Sequence, residues 1–293
     1  MRKSSFQGTK INPTSFHRSQ IPFFAFLIPF SLLMLLPIIF IINHAFKPQS
    51  ELFMYPPKFF VRRPTFDNFA ELSRIVSASG VPFSRYLVNS LFVTILGVTL
   101  AIIFTGFSAY ALSKMKFRGK KFLFELNTLA LMFVPIAVQI PRYLIIAKSG
   151  LIDSYMAHIL PVIVMPVAMF LIKQFIDQTP NELIESAKID GASEMEIFFK
   201  IIVPIIAPAI ATVGILAFQA IWNDTTTSVL YINDESKRTL AFYMMSLTSA
   251  QGNTVAGQGM AAAAGLLMFV PNLLLFIILQ SKVMNTMAHS GIK

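Results

Sequence analysis

Long apolar runs alternate with short charged connections along the chain. Lys, Arg, Asp and Glu are absent between Arg18 and Lys47, Arg85 and Lys114, Asp153 and Lys173, Lys200 and Asp224, and Arg238 and Lys282. A hydrocarbon layer about 30 Å thick needs ~20 apolar residues of helix to cross it, so each interval holds a spanning helix. A sixth run lies between Lys121 and Arg142, interrupted only by Glu125 near its start, where a carboxylate reaches the headgroups. The predicted spans are 21–46, 86–112, 122–146, 155–175, 201–222 and 259–281. All six should be helices, because backbone in lipid must satisfy its own hydrogen bonds and the chain lacks the alternation of a membrane barrel. The expected fold is an all-α integral membrane protein.

Basic residues set the orientation, since short cytoplasmic loops retain Lys and Arg. The tail 1–20 carries Arg2, Lys3, Lys10 and Arg18 without an acid, and the second connection holds Lys114, Lys116, Arg118, Lys120 and Lys121. Both belong inside, as do the connection between spans four and five and the tail 282–293 with Lys282 and Lys293. The segment 47–85 has six basic residues yet lies outside in this topology; loops of that length weigh less. The segment 239–258, with its Ser, Thr, Asn, Gln and Gly, reads as an external loop.

Composition supports a multi-pass protein of a cell membrane. Hydrophobic residues make up 55% and charged residues 13%, about half the charged share of a soluble domain. The net charge of +10 is spread over loops beside anionic lipid, which accounts for it without a nucleic-acid partner. The absence of cysteine excludes disulfides and thiolate metal sites. The first run is too long for a signal peptide and no small-residue cleavage site follows it, so an uncleaved first span is expected.

One polar stretch, ELIESAKIDGASEMEIFFKIIVPIIAPAI at 182–210, interrupts this pattern. Thr179, Pro180 and Glu182 read as a helix cap, a first-turn proline and a glutamate returning a bond to the cap. Leu183, Ile184 and Ala187 fall on one narrow face of a helix too short to be stable without a partner surface. Asp190 and Gly191 stop it, glycine accepting left-handed geometry. Ser193 and Glu196 form a second capping box, from which a new helix runs into the fifth span. By these features alone the elbow could equally be an ordinary interfacial loop.

The elbow resembles a known signature. Glu185-Ser186-Ala187, three residues, Gly191, nine residues, then Ile201-x-Val203-Pro204 is similar to the E-A-A, G, I-x-L-P motif of bacterial ATP-binding-cassette importer permeases. Ser186 and Val203 are its departures, both small and like-shaped. The resemblance extends over essentially the whole chain, to Trp222-Asn223-Asp224, to the loop 225–258 and to the ending Ser290-Gly291-Ile292-Lys293, and points to the second permease of maltose-type carbohydrate importers. It implies a permease domain at 21–281, flanked by the two tails, with a coupling helix at about 180–192. Contact with the ATPase would fall to Glu185, Ser186, Ala187, Asp190, Gly191, Ala192 and Pro204. It further implies a second permease chain, two ATPase subunits that carry ATP and Mg, and an extracellular sugar-binding protein touched by the 225–258 loop through Ser246, Gln251 and Asn253.

The chain itself lacks a phosphate-gripping G-x-x-x-x-G-K-[ST] loop, so no ATP hydrolysis by that route and no cofactor is expected on it. His17, His44, His158 and His289 lie near span ends or in tails without metal-ligand spacing. The rival reading, a secondary transporter or channel, calls for inverted repeats or intramembrane ionisable residues, and the sequence displays neither. Gln219, Asn223 and Asp224 are candidates for the substrate path, alongside Asn89, Asn127, Gln139, Arg142 and Trp222. Each also has a structural reading, as interhelical glue or, for Trp222, as an interfacial anchor.

Overall fold

A computed structural model describes residues 20–74, 80–251 and 255–290, and no strand occurs among them. The chain begins with α1 (Ile21–Ala45), α2 (Gln49–Leu52), α3 (Asp67–Arg74) and α4 (Phe83–Lys114). There follow α5 (Lys120–Ala130), α6 (Gln139–Lys148), α7 (Tyr155–Ile163), α8 (Pro166–Asp177) and α9 (Asn181–Ile189). A turn leads to α10 (Glu194–Glu196), a π-helical turn at Ile197–Ile202, α11 (Val203–Ile205) and α12 (Ala207–Trp222). Then come α13 (Thr226–Tyr231), α14 (Leu240–Gln251) and α15 (Val255–Ser290).

Among the described residues three helices are long and apolar enough to cross a membrane alone, within Ile21–Ala45, Phe83–Lys114 and Gly257–Ser281. The predicted third, fourth and fifth spans are instead bent pairs, broken by 112°, 44° and 82°. Six spans are reached when each pair counts as one. Proline explains the breaks. Val134 before Pro135 and Met165 before Pro166 take extended backbone, as a residue preceding proline must when the ring crowds it. At the third break Pro208 has no N–H for the carbonyl of Pro204, and the chain turns at Ile206.

Helix α4 is the centre of the bundle, packed by α7, α8 and α12. At Gly97 a β-carbon would lie 2.7 Å from Ile221 Cδ1, so glycine there lets α4 and α12 approach closely. Helix α1 packs on α15 and turns its other apolar residues outward, with Phe26 72% exposed. That face suits lipid or another apolar chain.

Contacts sort the connections into two ends. At one, Arg85 Nε donates to the Ser236 carbonyl (3.1 Å), and the Asp153 N–H to the Tyr231 carbonyl (2.8 Å). At the other, Lys114 Nζ donates to the Thr179 carbonyl (2.7 Å), and Ser113 bonds Asp177. Successive connections therefore alternate ends.

Two segments expected as loops carry helices. The segment 47–85 contains α2 and α3, and Asn68 Nδ2 donates to the carbonyls of Ala45 and Lys47, both at 2.9 Å, tying α3 to the end of α1. The expected loop at 225–258 is mostly helical: Leu240, Ala241, Tyr243 and Met244 are buried, several of them against Tyr86, Trp222 and Ala264. Its polar residues follow that apolar group, which is why composition alone suggested a loop. The last apolar span ends at Ser281, and its helix continues through Ser290 into the expected tail; residues 1–19 and 291–293 lie outside the described part.

Candidate functional site at the elbow

The elbow is held from three sides. Helix α9 ends in two backbone bonds, from the Gly191 N–H to the Lys188 carbonyl (3.1 Å) and from the Ala192 N–H to the Ala187 carbonyl (2.9 Å). This pairing closes a helix over a left-handed residue, and Gly191 has φ +83°. Two residues later the predicted capping box is present: the Ser193 N–H donates to Glu196 Oε2 (3.0 Å), and the Glu196 N–H to Ser193 Oγ (3.3 Å). Ile184 is buried with Tyr110, Ile176, Ile197 and Phe198, while Ala187 and Ala192 pack against that cluster.

The start of α9 departs from expectation. Pro180, not Thr179, occupies the cap position, with no side-chain bond to the helix, and Thr179 Oγ1 is buried without a hydrogen-bond partner. Lys114 does the anchoring instead, donating to the Thr179 carbonyl and to Asn181 Oδ1 at 2.8 Å. Leu183, predicted to share the packed face of Ile184, faces outward.

Glu194 is the residue that sequence reasoning missed. Its Oε1 pairs with Lys188 Nζ at 2.5 Å, and its Oε2 accepts from Tyr110 Oη at 2.7 Å. One carboxylate thus joins the short helix, the turn after Gly191 and the end of α4. Only the six-residue spacing of Lys188 and Glu194 across a glycine turn hinted at the pair; the tyrosine is 84 residues away.

Beyond the box, Ile197–Ile202 form a π-helical turn in which the Val203 N–H reaches back to the Phe198 carbonyl. Such wide turns recur at functional sites. Pro204 follows it, supplying no N–H. The outer side of the elbow exposes Glu185, Ser186, Asp190 and Gly191 with Ile189, which is 86% exposed. A cleft of about 320 Å³ opens beside them, lined by Asp190, Gly191, Glu196 and Lys200 among others. The signature residues are thereby brought together: small positions at the turn, large apolar and acidic ones outside.

The substrate-path candidates divide. Asp224 caps α13, accepting from the N–H groups of Thr226 (3.2 Å) and Thr227 (3.1 Å) and from the Thr227 hydroxyl. Asn89 bonds the carbonyls of Ser236 and Arg238 and accepts from Tyr155 Oη, and Asn127 bonds the Pro166 carbonyl. These are interhelical glue. Trp222 is 3% exposed and donates to the Met268 carbonyl at 3.1 Å, so it is a core residue and not an interfacial anchor. Gln219 and Asn223 remain exposed.

The far end is fixed by charge. Asp153 takes φ +63° and accepts from the N–H groups of Asn233 (3.2 Å) and Asp234 (2.9 Å), while Lys237 Nζ pairs with its Oδ2 at 3.1 Å. The Asp234 N–H and the Lys237 ammonium hold the Asp153 carboxyl below its usual range. Of the residues expected to meet a binding protein, Ser246 is exposed, its hydroxyl bonded to the Tyr243 carbonyl. Gln251 ends α14, and Asn253 lies outside the described residues. No cluster of metal-ligating side chains occurs among the described residues.

Comparison with known proteins agrees with this architecture. The chain is 32% identical to protein LplC of Bacillus subtilis (strain 168), over 88% of this chain and 89% of that protein. It is 30% identical to the arabinooligosaccharides transport system permease protein AraQ of the same organism, over 92% and 94%. Its fold matches a chain of a bacterial ABC transporter involved in the import of the acidic polysaccharide alginate, with TM-score 0.77 and 21% identity over 92% of this chain and 99% of that one. Residues 18–281 match the family described as binding-protein-dependent transport system inner membrane component. The chain belongs to that family of multi-pass membrane permease subunits.

Proposed function

We propose that the chain is one permease subunit of an ATP-driven, binding-protein-dependent importer of an oligosaccharide or other carbohydrate, in the bacterial cytoplasmic membrane. The observation that carries this reading is the elbow: a short helix closed by Gly191, braced by Glu194, and presenting Glu185, Ser186, Asp190 and Ile189 outward. A second permease completes the pathway, and two ATPase subunits carrying ATP and Mg dock at the elbow. The extracellular sugar-binding protein delivers cargo to the end formed by Asp153, α13 and α14. In this reading both termini are cytoplasmic, and the 21–281 domain does no chemistry of its own.

Mechanically, α9 is too short to hold its shape alone, so its position follows whatever grips it. Ile184 anchors it to α8 and the π-helical turn, Lys114 to α4, and Glu194 to both helix and bundle. Movement of a docked ATPase therefore reaches α4 and α12 through packed groups. The related AraQ and the alginate importer support a saccharide as cargo and leave its charge open.

Reconstitution tests the reading. Co-expression with its permease and ATPase partners should yield one complex that imports saccharide into proteoliposomes only with internal ATP and external binding protein. Uptake by this chain alone, driven by an ion gradient, would establish a secondary transporter instead.

A further inference from the structure

Arg142 lies on α6, the second arm of the pair bent by 112°. It is six residues from the helix end, about 9 Å along the axis. Gln139, Arg142, Tyr143 and Ile146 share an arc of about 100° on that helix. This face is turned to α7 and α13: Ile146 is buried with Tyr231, Ile232 and Ala157, and the Tyr143 and Tyr231 rings stack at 6.2 Å. The opposite face is apolar and open, with Ile140 74% and Ile145 66% exposed. A snorkelling arginine belongs on the lipid side; this one is half-buried on the protein side.

It has no counter-ion among the described residues. Among the described residues neither the Arg142 guanidinium nor the Gln139 amide has a hydrogen bond or ion pair. Asp224 is an acid in the turn before α13, the helix whose Tyr231 stacks on Tyr143. Its carboxylate, however, is committed to Thr226 and Thr227. Beside α13, at the end where Asp153 bonds Tyr231, a half-buried cation without a partner is open to a ligand that supplies the opposite charge.

We propose that Arg142, with Gln139 one turn away, is a specificity-determining contact for a carboxylate-bearing saccharide. The inference rests on the importer reading above and names its cargo class. The planar guanidinium takes a carboxylate through two parallel bonds, and Gln139 suits a neighbouring hydroxyl. Lysine retains the charge but not the fork.

The test uses the complete importer with its binding protein in proteoliposomes, offered trigalacturonate or the neutral maltotriose. The wild type should import the uronate; Arg142→Gln should cut that uptake at least tenfold with the complex intact and with binding-protein affinity unchanged, and Arg142→Lys should restore part of it. Unchanged uronate uptake in Arg142→Gln overturns the proposal. So does loss of assembly in that variant, which would assign the arginine to an acid on the second permease. Import of maltotriose alone, or of neither sugar, overturns the charge assignment and leaves the importer reading to the ATP- and binding-protein-dependence of the reconstituted complex.

Discussion

Tyr110 on α4 and Glu194 beyond the elbow are joined by a 2.7 Å hydrogen bond. The same carboxylate holds Lys188 of α9, so the long central helix and the short surface helix share one acceptor. Tyr110→Phe removes the donor while keeping the ring that packs on Phe198. A bond of this kind contributes about 0.5–1.5 kcal/mol, or up to ~3 with a charged acceptor. The complex should still assemble and hydrolyse ATP basally, with a several-fold weaker response to loaded binding protein, measured as stimulated over basal hydrolysis.

Gly191→Leu should insert and assemble yet fail to transport. A β-carbon there would meet nothing within 4 Å in this chain, so the cost inside the subunit is the backbone strain of φ +83°, roughly 1–2 kcal/mol. Any larger loss comes from a partner pressed against the turn. Gly191→Asn, which tolerates the same geometry, should retain most uptake; equal uptake in both variants would leave the turn without a partner.

Arg118 and Ser249 should lie on opposite sides of the membrane, and both are exposed. The chain has no cysteine, so single cysteines report cleanly. An impermeant thiol reagent applied outside whole cells should label Ser249→Cys and spare Arg118→Cys. The reverse pattern would invert the topology.

The Asp153 cluster gives an acid-side dependence. Its folded pKa is depressed, so its contribution is present above the unfolded value of about 3.9 and is lost as pH falls through the folded one. Melting of the purified complex should therefore become less sensitive to acid below that value in Asp153→Asn, and the variant should melt lower at neutral pH. Identical melting profiles would remove the cluster from the stability of the outer end.

The spans were legible because hydrocarbon imposes a length and a polarity that few residues violate. Three of the six runs form single helices long enough to span and three form bent pairs, while the Gly191 stop and the Ser193–Glu196 box appear where local chemistry places them. What stayed hidden was set by distant partners. Thr179 looks like a cap, but Lys114 already holds that backbone; Asp224 looks like a pathway acid, but its neighbours on α13 claim it. The bends at Pro135, Pro166 and Pro208 were visible as prolines, yet their angles depend on the packing around them. Arg142 was a candidate in the sequence, but the face it shares with Gln139 and Ile146 was not visible until the helix was placed.

The central claim is that the ATPase acts through the elbow, and disulfide or short-linker trapping tests it most directly. Ile189→Cys, on the exposed outer side of α9, should cross-link to the ATPase in the intact importer, with a yield that changes between ATP-bound and nucleotide-free states, and the trapped complex should lose uptake until reduced. Met132→Cys, exposed at the bend after α5, should give no such adduct. Absence of an Ile189→Cys adduct in a complex that hydrolyses ATP and imports sugar, or full uptake with the adduct in place, would contradict it.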